Sequence, residues 1–89
     1  MIRTAVIRGR RYRIVNRPGW GNLGYCEHPK SPGKRMSIPV RGDTQEALYT
    51  ILHETLHAGL WDLDEETVEE MCHDQARLLW RLGWRRQGD

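Results

Sequence analysis

The chain reads as an α+β domain, a small antiparallel sheet of three to four short strands packed by a two-helix hairpin. Three observations predict it. Apolar and basic residues alternate through the first 42 positions, apolar residues recur at helical spacing from Asp43 onwards, and no repeat, linker or low-complexity tract lies between. Eighty-nine residues suit one domain over 1–89, with a basic β part at 1–42 and a helix hairpin at 43–89.

Ile2 to Ile7 and Tyr12 to Val15 alternate, and Arg8-Gly9-Arg10 between them predicts a hairpin with a glycine-assisted turn. Arg17 to Asn22 is loop, Leu23 to Glu27 a third short strand, and Pro29 to Gly33 a further turn. Met36 to Val40 alternates again. Pro39 lacks a backbone donor, which predicts an edge strand there. Asp43 with Glu46 three residues on has the pattern of a capping box, followed by an apolar stripe of Leu48, Ile51, Leu52, Thr55, Leu56 and Gly59. Trp61 to Asp64 interrupts it. A second helix is expected from Asp64, with Leu63 and Val68 as a hydrophobic staple, a buried line of Val68, Cys72, Leu79 and Leu82, and a stop at Gly83.

Apolar content is 38%, with four Trp, three Tyr and no Phe, so the core leans on Leu, Ile, Val and Trp. A core this small gains from a fastener such as a metal or a disulfide. Cys26 and Cys72 are too few for a secreted disulfide scaffold. No apolar targeting segment opens the chain, and no stretch approaches the roughly 18 apolar residues of a membrane span. A soluble, cytoplasmic protein is the expectation. The net charge of +2 conceals an asymmetry: residues 1–42 carry ten Lys/Arg and one acid, Glu27, whereas residues 43–89 carry four Lys/Arg and eleven acids. Such a basic half suits nucleic acid or an acidic partner, or it neutralises the acidic half of its own domain.

The chemistry concentrates in His53-Glu54-Thr55-Leu56-His57. On a helix, positions i and i+4 share a face, so both imidazoles can converge on one ion. Zinc takes imidazole readily, and catalytic sites use three protein ligands and leave a fourth position for water. Glu54 follows the first histidine and lies beside the ion, where it can act as general base on a water made acidic by the metal. The competing reading is three solvated polar residues on an ordinary helix face.

"ILHETLHA" resembles the active-site helix of zincin metallopeptidases. The layout of a short sheet, a motif helix and a second helix resembles SprT-like and minimal gluzincin-type domains, including small phage-encoded ones. The resemblance covers about residues 23–82, and only the five-residue motif within it is specific. It implies Zn2+, a water nucleophile and hydrolysis of an extended peptide or protein substrate, which would pair along the edge strand Met36 to Val40. It also implies a third ligand near the start of the next helix, a histidine in SprT-like proteins and a glutamate in gluzincins. The metzincin extension fails, because Leu60 and Leu63 stand where a glycine and a ligand would be.

The acidic run Asp64 to Glu70 is the remaining source. On the buried line given above, Glu65 is the nearest carboxylate and Glu69 the next, with Glu66 and Glu70 turned towards solvent and Asp62 a weaker candidate. Acids at a helix start also simply complement its dipole. Four further polar groups have two readings each. His73 is a surface histidine or an oxyanion donor, Asp74 a solvated charge or a partner for a ligand histidine. Tyr49 is core or a donor to an intermediate, and Cys26 with His28 is a weak metal pair or packing. The tail Leu78 to Arg86 mixes aromatics and arginines, as a helix end does and as a nucleic-acid or membrane-surface patch does. Three functions follow: a zinc peptidase with Glu54 as base and His53, His57 and Glu65 as ligands; a structural zinc domain; or a nucleic-acid-binding module acting through the basic half.

Overall fold

A computed structural model describes residues 2–16 and 24–87. The expected loop Arg17 to Asn22, and Leu23 of the third strand, lie outside the described residues. Strands β1 (Thr4–Ile7), β2 (Arg10–Val15), β3 (Tyr25–Cys26) and β4 (Arg35–Ser37) precede helices α1 (Gln45–Gly59) and α2 (Glu65–Arg81). The fold is α+β, as expected. Its sheet is mixed and not antiparallel throughout, because β4 lies between β2, to which it runs parallel, and β3, to which it runs antiparallel, in the order β1-β2-β4-β3.

That order overturns the edge strand expected at Met36 to Val40. β4 is interior, and Met36, paired with Ile14 on one side and Cys26 on the other, is fully buried. Pro39 falls just past the strand, after Ile38 has donated its N–H to Val15 O at 2.9 Å, so its missing donor costs the ladder nothing. The described edges are β1 and β3. The β1–β2 turn places Arg8 at φ 48° and Gly9 at φ 77°, two successive left-handed residues of the kind that match the strand twist in a two-residue hairpin.

Thr44 caps α1 by accepting the Ala47 N–H at 3.0 Å; the expected cap, Asp43, instead accepts the Arg86 N–H at 3.1 Å. Asp64 caps α2, accepting from the Thr67 N–H and hydroxyl, and those hydrogen bonds hold its carboxyl below the usual range. Gly83 at φ 96° closes α2, with Trp84 N–H donating to Leu79 O and Gly83 N–H to Trp80 O. The inward line of α2 runs Val68, Cys72, Ala76. Steps of four carry it on towards Trp80, which leaves Leu82 exposed and not buried as expected.

Helix α1 is the wall between two small cores. On the sheet side Tyr12, Cys26, Met36, Ile38 and Ala58 pack with Ile7, Ile14, Val40 and Ile51. On the α2 side Tyr49, Val68, Cys72 and Ala76 pack with Leu48, Leu52, Leu56 and the stapling Leu63. Being covered on both sides, α1 buries Thr50, His53 and Glu54, while its leucines are only half-buried. The two cysteines are free and buried. No described helix is long and apolar enough to cross a membrane.

Gly24, at φ 106°, sets how closely β3 meets α1. A methyl group there would stand 2.7 Å from Ser37 O, 2.8 Å from Thr50 Cγ2 and 3.3 Å from Glu54 Cγ. Gly24→Ala therefore combines backbone strain with overpacking and is expected to cost more than about 2 kcal/mol in urea unfolding. Gly83→Ala, which meets nothing within 4 Å, should cost about 1 kcal/mol.

Burial pushes the Cys26 thiol up to about 12, with the nearby Glu54 charge acting in the same direction. Its unfolded thiol titrates near about 8.5, so the neutral form contributes stability that is complete below that pH and is lost as pH rises towards about 12. Cys26→Ala should flatten the alkaline limb of a stability–pH profile, and neither cysteine should react with a thiol reagent at pH 8 until the protein is unfolded.

Candidate metal centre

Helix α1 brings the His53 and His57 rings together edge to face, with centroids 4.6 Å apart and 72° between their planes. The short connection Leu60 to Asp64 then reverses the chain, and the Asp64 cap starts α2 so that its first residue, Glu65, faces back across the hairpin. Glu65 Oε1 lies 2.9 Å from His53 Nε2, and Glu65 Oε2 lies 2.9 Å from His57 Nε2. One carboxylate thus bridges both imidazoles. The donor atoms of the three residues lie within 4.8 Å of one another, an arrangement that could hold a metal ion. Tetrahedral zinc with bonds of about 2.0–2.1 Å spaces its ligand atoms about 3.4 Å apart, between the 2.9 Å contacts and the 4.8 Å limit found here, so a small adjustment of the cluster would admit it. Two imidazoles and a carboxylate also suit other divalent transition metals, so the donor set by itself does not name the ion.

The surroundings are asymmetric. His53 is 9% exposed and Glu54 only 4%, whereas Glu65 lies on the solvent side. Glu54 Oε2 stands 3.2 Å from His53 Nδ1. With the proton on Nδ1, His53 donates to Glu54 and keeps Nε2 free for an ion, the usual role of a carboxylate behind a ligand histidine. Burial raises the Glu54 carboxyl above the ordinary range, His53 partly counteracts this, and the Glu65 charge adds to the rise. A protonatable carboxyl is therefore held at the closed end of the group, against β3.

Of the other candidates, Glu69 lies one turn beyond Glu65 and lines a separate cavity with Tyr49 and His73. Glu66 and Glu70 are exposed, and Asp62 belongs to the loop wall of another cavity beside Arg8 and Trp61. Asp74 pairs with Arg77 at 2.7 Å, away from both histidines. His73 is exposed, yet its ring stacks on Tyr49 at 4.1 Å, and Tyr49 stacks in turn on His53 at 5.3 Å. Cys26 and His28 do not form a pair: the thiol points into the core, while the His28 ring packs edge-on against Trp61 at 4.8 Å. In the tail, Arg85 lies over the Trp80 ring at 3.4 Å and donates to Trp80 O, as a helix-end arginine does.

Sequence reasoning gave no role to Gly24, whose bare Cα lets β3 approach Glu54, or to Trp61, whose ring lies 6.4 Å from that of His57. A glycine inside a strand pattern is itself a signal of close backbone approach. Trp61 carried no comparable signal.

No protein-family model matches the chain, and no match was found among curated proteins or solved structures. The group His53, His57 and Glu65 is thus read from its geometry alone. His57→Ala or Glu65→Ala should weaken zinc binding by more than about 100-fold in a competition titration with a chromogenic chelator, beyond the range typical for outer partners. Glu66→Gln and Glu69→Gln should leave it within about twofold.

Proposed function

We propose that the chain is a minimal zinc-dependent peptidase, with His53, His57 and Glu65 as metal ligands and Glu54 as general base. The observation that carries this reading is the convergence of the three donor groups beside a buried carboxyl one residue from a ligand. A zinc ion there would acidify a water and polarise the substrate carbonyl. Glu54, turned from His53 Nδ1 towards the ion, would take the proton of the attacking water and return it to the leaving amine, a task helped by the burial that raises its carboxyl. β3, an edge strand packed against α1, replaces Met36 to Val40 as the strand along which an extended peptide would pair.

A second reading is a structural zinc domain, favoured by the 3.2 Å contact between Glu54 and His53 Nδ1. In it Glu54 orients a ligand and performs no chemistry. Two substitutions separate the readings. Glu54→Gln keeps an acceptor for the Nδ1 proton but cannot serve as base, so the peptidase should retain zinc and lose at least about 100-fold in cleavage of a peptide library. Unchanged turnover in that variant would sink the mechanism. Glu54→Ala also removes the acceptor and should weaken zinc binding by about 10- to 100-fold in either case.

A further inference from the structure

The groove between α1 and α2 does not end at the two histidines. Moving from them towards the start of α1, that helix presents Tyr49, Glu46 and Gln45, while α2 presents Glu69, His73 and Ala76, and together these six line a cavity of about 510 Å³. The two rows follow from the i, i+3 and i, i+4 spacing that brought His53 and His57 opposite Glu65. The volume falls in the range of small-ligand sites.

We propose that this cavity receives a basic side chain, arginine or lysine, of the substrate. This rests on the peptidase reading for its biological meaning, though not for the binding itself. Charge is the first argument: two carboxylates line the cavity, no cationic residue does, and neither Glu46 nor Glu69 belongs to an ion pair among the described residues. A flat aromatic wall is the second. Tyr49 is sandwiched between the His53 and His73 rings, which leaves the outer face of His73, exposed on α2, as the flat surface on which a guanidinium can stack.

The third is a hydroxyl with no protein partner. Tyr49 is 8% exposed and lines the cavity, and among the described residues its hydroxyl, open to solvent, accepts no hydrogen bond from the protein. A guanidinium N–H would supply one. A second metal ion does not fit as occupant, because Glu46, Glu69 and His73 do not converge; among the described residues only His53, His57 and Glu65 do. A long, flexible or delocalised organic cation fits the spread of these groups.

Position gives the consequence. Tyr49 touches both the cavity and His53, and Glu69 stands one helical turn, about 5.4 Å, from Glu65. An extended peptide advances about 3.3–3.6 Å per residue. The basic residue would therefore stand one or two positions from the bond that is cut.

The test uses metal-free protein and three blocked pentapeptides, acetylated and amidated, with arginine, lysine or alanine at the centre of four alanines. Binding is followed by the NMR signals of the His73 ring. The expected result is saturable shifts with the arginine or the lysine peptide, whichever binds more tightly naming the source, and none with the alanine peptide. Affinity should fall about tenfold in the double variant Glu46→Gln/Glu69→Gln and hold in Glu70→Gln, an exposed acid on α2 outside the cavity. Equal binding of the alanine peptide, no binding of any, or no loss in the double variant would overturn the proposal. A separate cleavage assay on the zinc-loaded protein keeps the two ideas apart. Binding without cleavage counts against the peptidase, and cleavage indifferent to basic residues counts against this cavity.

Discussion

The bridge that Glu65 makes between His53 and His57 is the constraint on which the helical half depends. A carboxylate can reach two imidazoles at 2.9 Å each only if the hairpin is tight and α2 starts at one rotational setting. Local chemistry supplies both conditions. Asp64 caps α2 one residue before Glu65, and Leu63 and Val68 join the core on α1, fixing the angle at which the chain enters the second helix. Had α2 begun one residue later, the roughly 100° rotation per residue would have brought a different side chain to the imidazoles.

The sheet imposes the complementary constraint. Helix α1 must lie close enough to β3 to bury Glu54, and Gly24 permits this by offering no side chain to the gap. The interior position of β4 follows from the same need. Met36 at the centre of the sheet, with Tyr12 and Cys26 beside it, makes the floor on which Ala58 and Ile51 rest. The two small cores therefore share one helix, and the motif lies where both press on it.

These relations explain which parts of the molecule were legible. Helix spacing and the hairpin follow local rules, so the two helices, the Asp64 cap, the Gly83 stop and the Arg8-Gly9 turn could be read directly. Glu65 was ranked above Glu69, Glu66 and Asp62 from the rotation of one helix relative to its apolar line. Strand pairing is non-local. Nothing within Arg35 to Val40 tells that β4 pairs in parallel with β2, and Pro39 misled because it stands one residue beyond the ladder. Thr44 and Asp43 are both good caps; Thr44 takes the role, and Asp43 accepts instead from the Arg86 N–H, a partner 43 positions away. The Tyr49–His73 stack was equally hidden, since it needs both helices in register.

A small domain ordinarily places leucines on the most covered face of its central helix. Here that face carries Thr50, His53 and Glu54, and Leu48, Leu52 and Leu56 are shifted to the partly covered flanks. Burying a carboxyl and an imidazole opposes folding unless their charges and hydrogen bonds are met. Burial raises the Glu54 carboxyl, and the His53 contact offsets this only in part. A divalent cation between Glu65 and the two imidazoles would supply positive charge on the side of His53 away from Glu54 and stabilise both acids in their ionised forms. Metal binding would then act as the fastener that a core of this size lacks, and the free energy of binding would appear as free energy of folding. On this argument stability and chemistry are not separable in the motif helix, because the residues that weaken the core are the same ones that an ion would hold together.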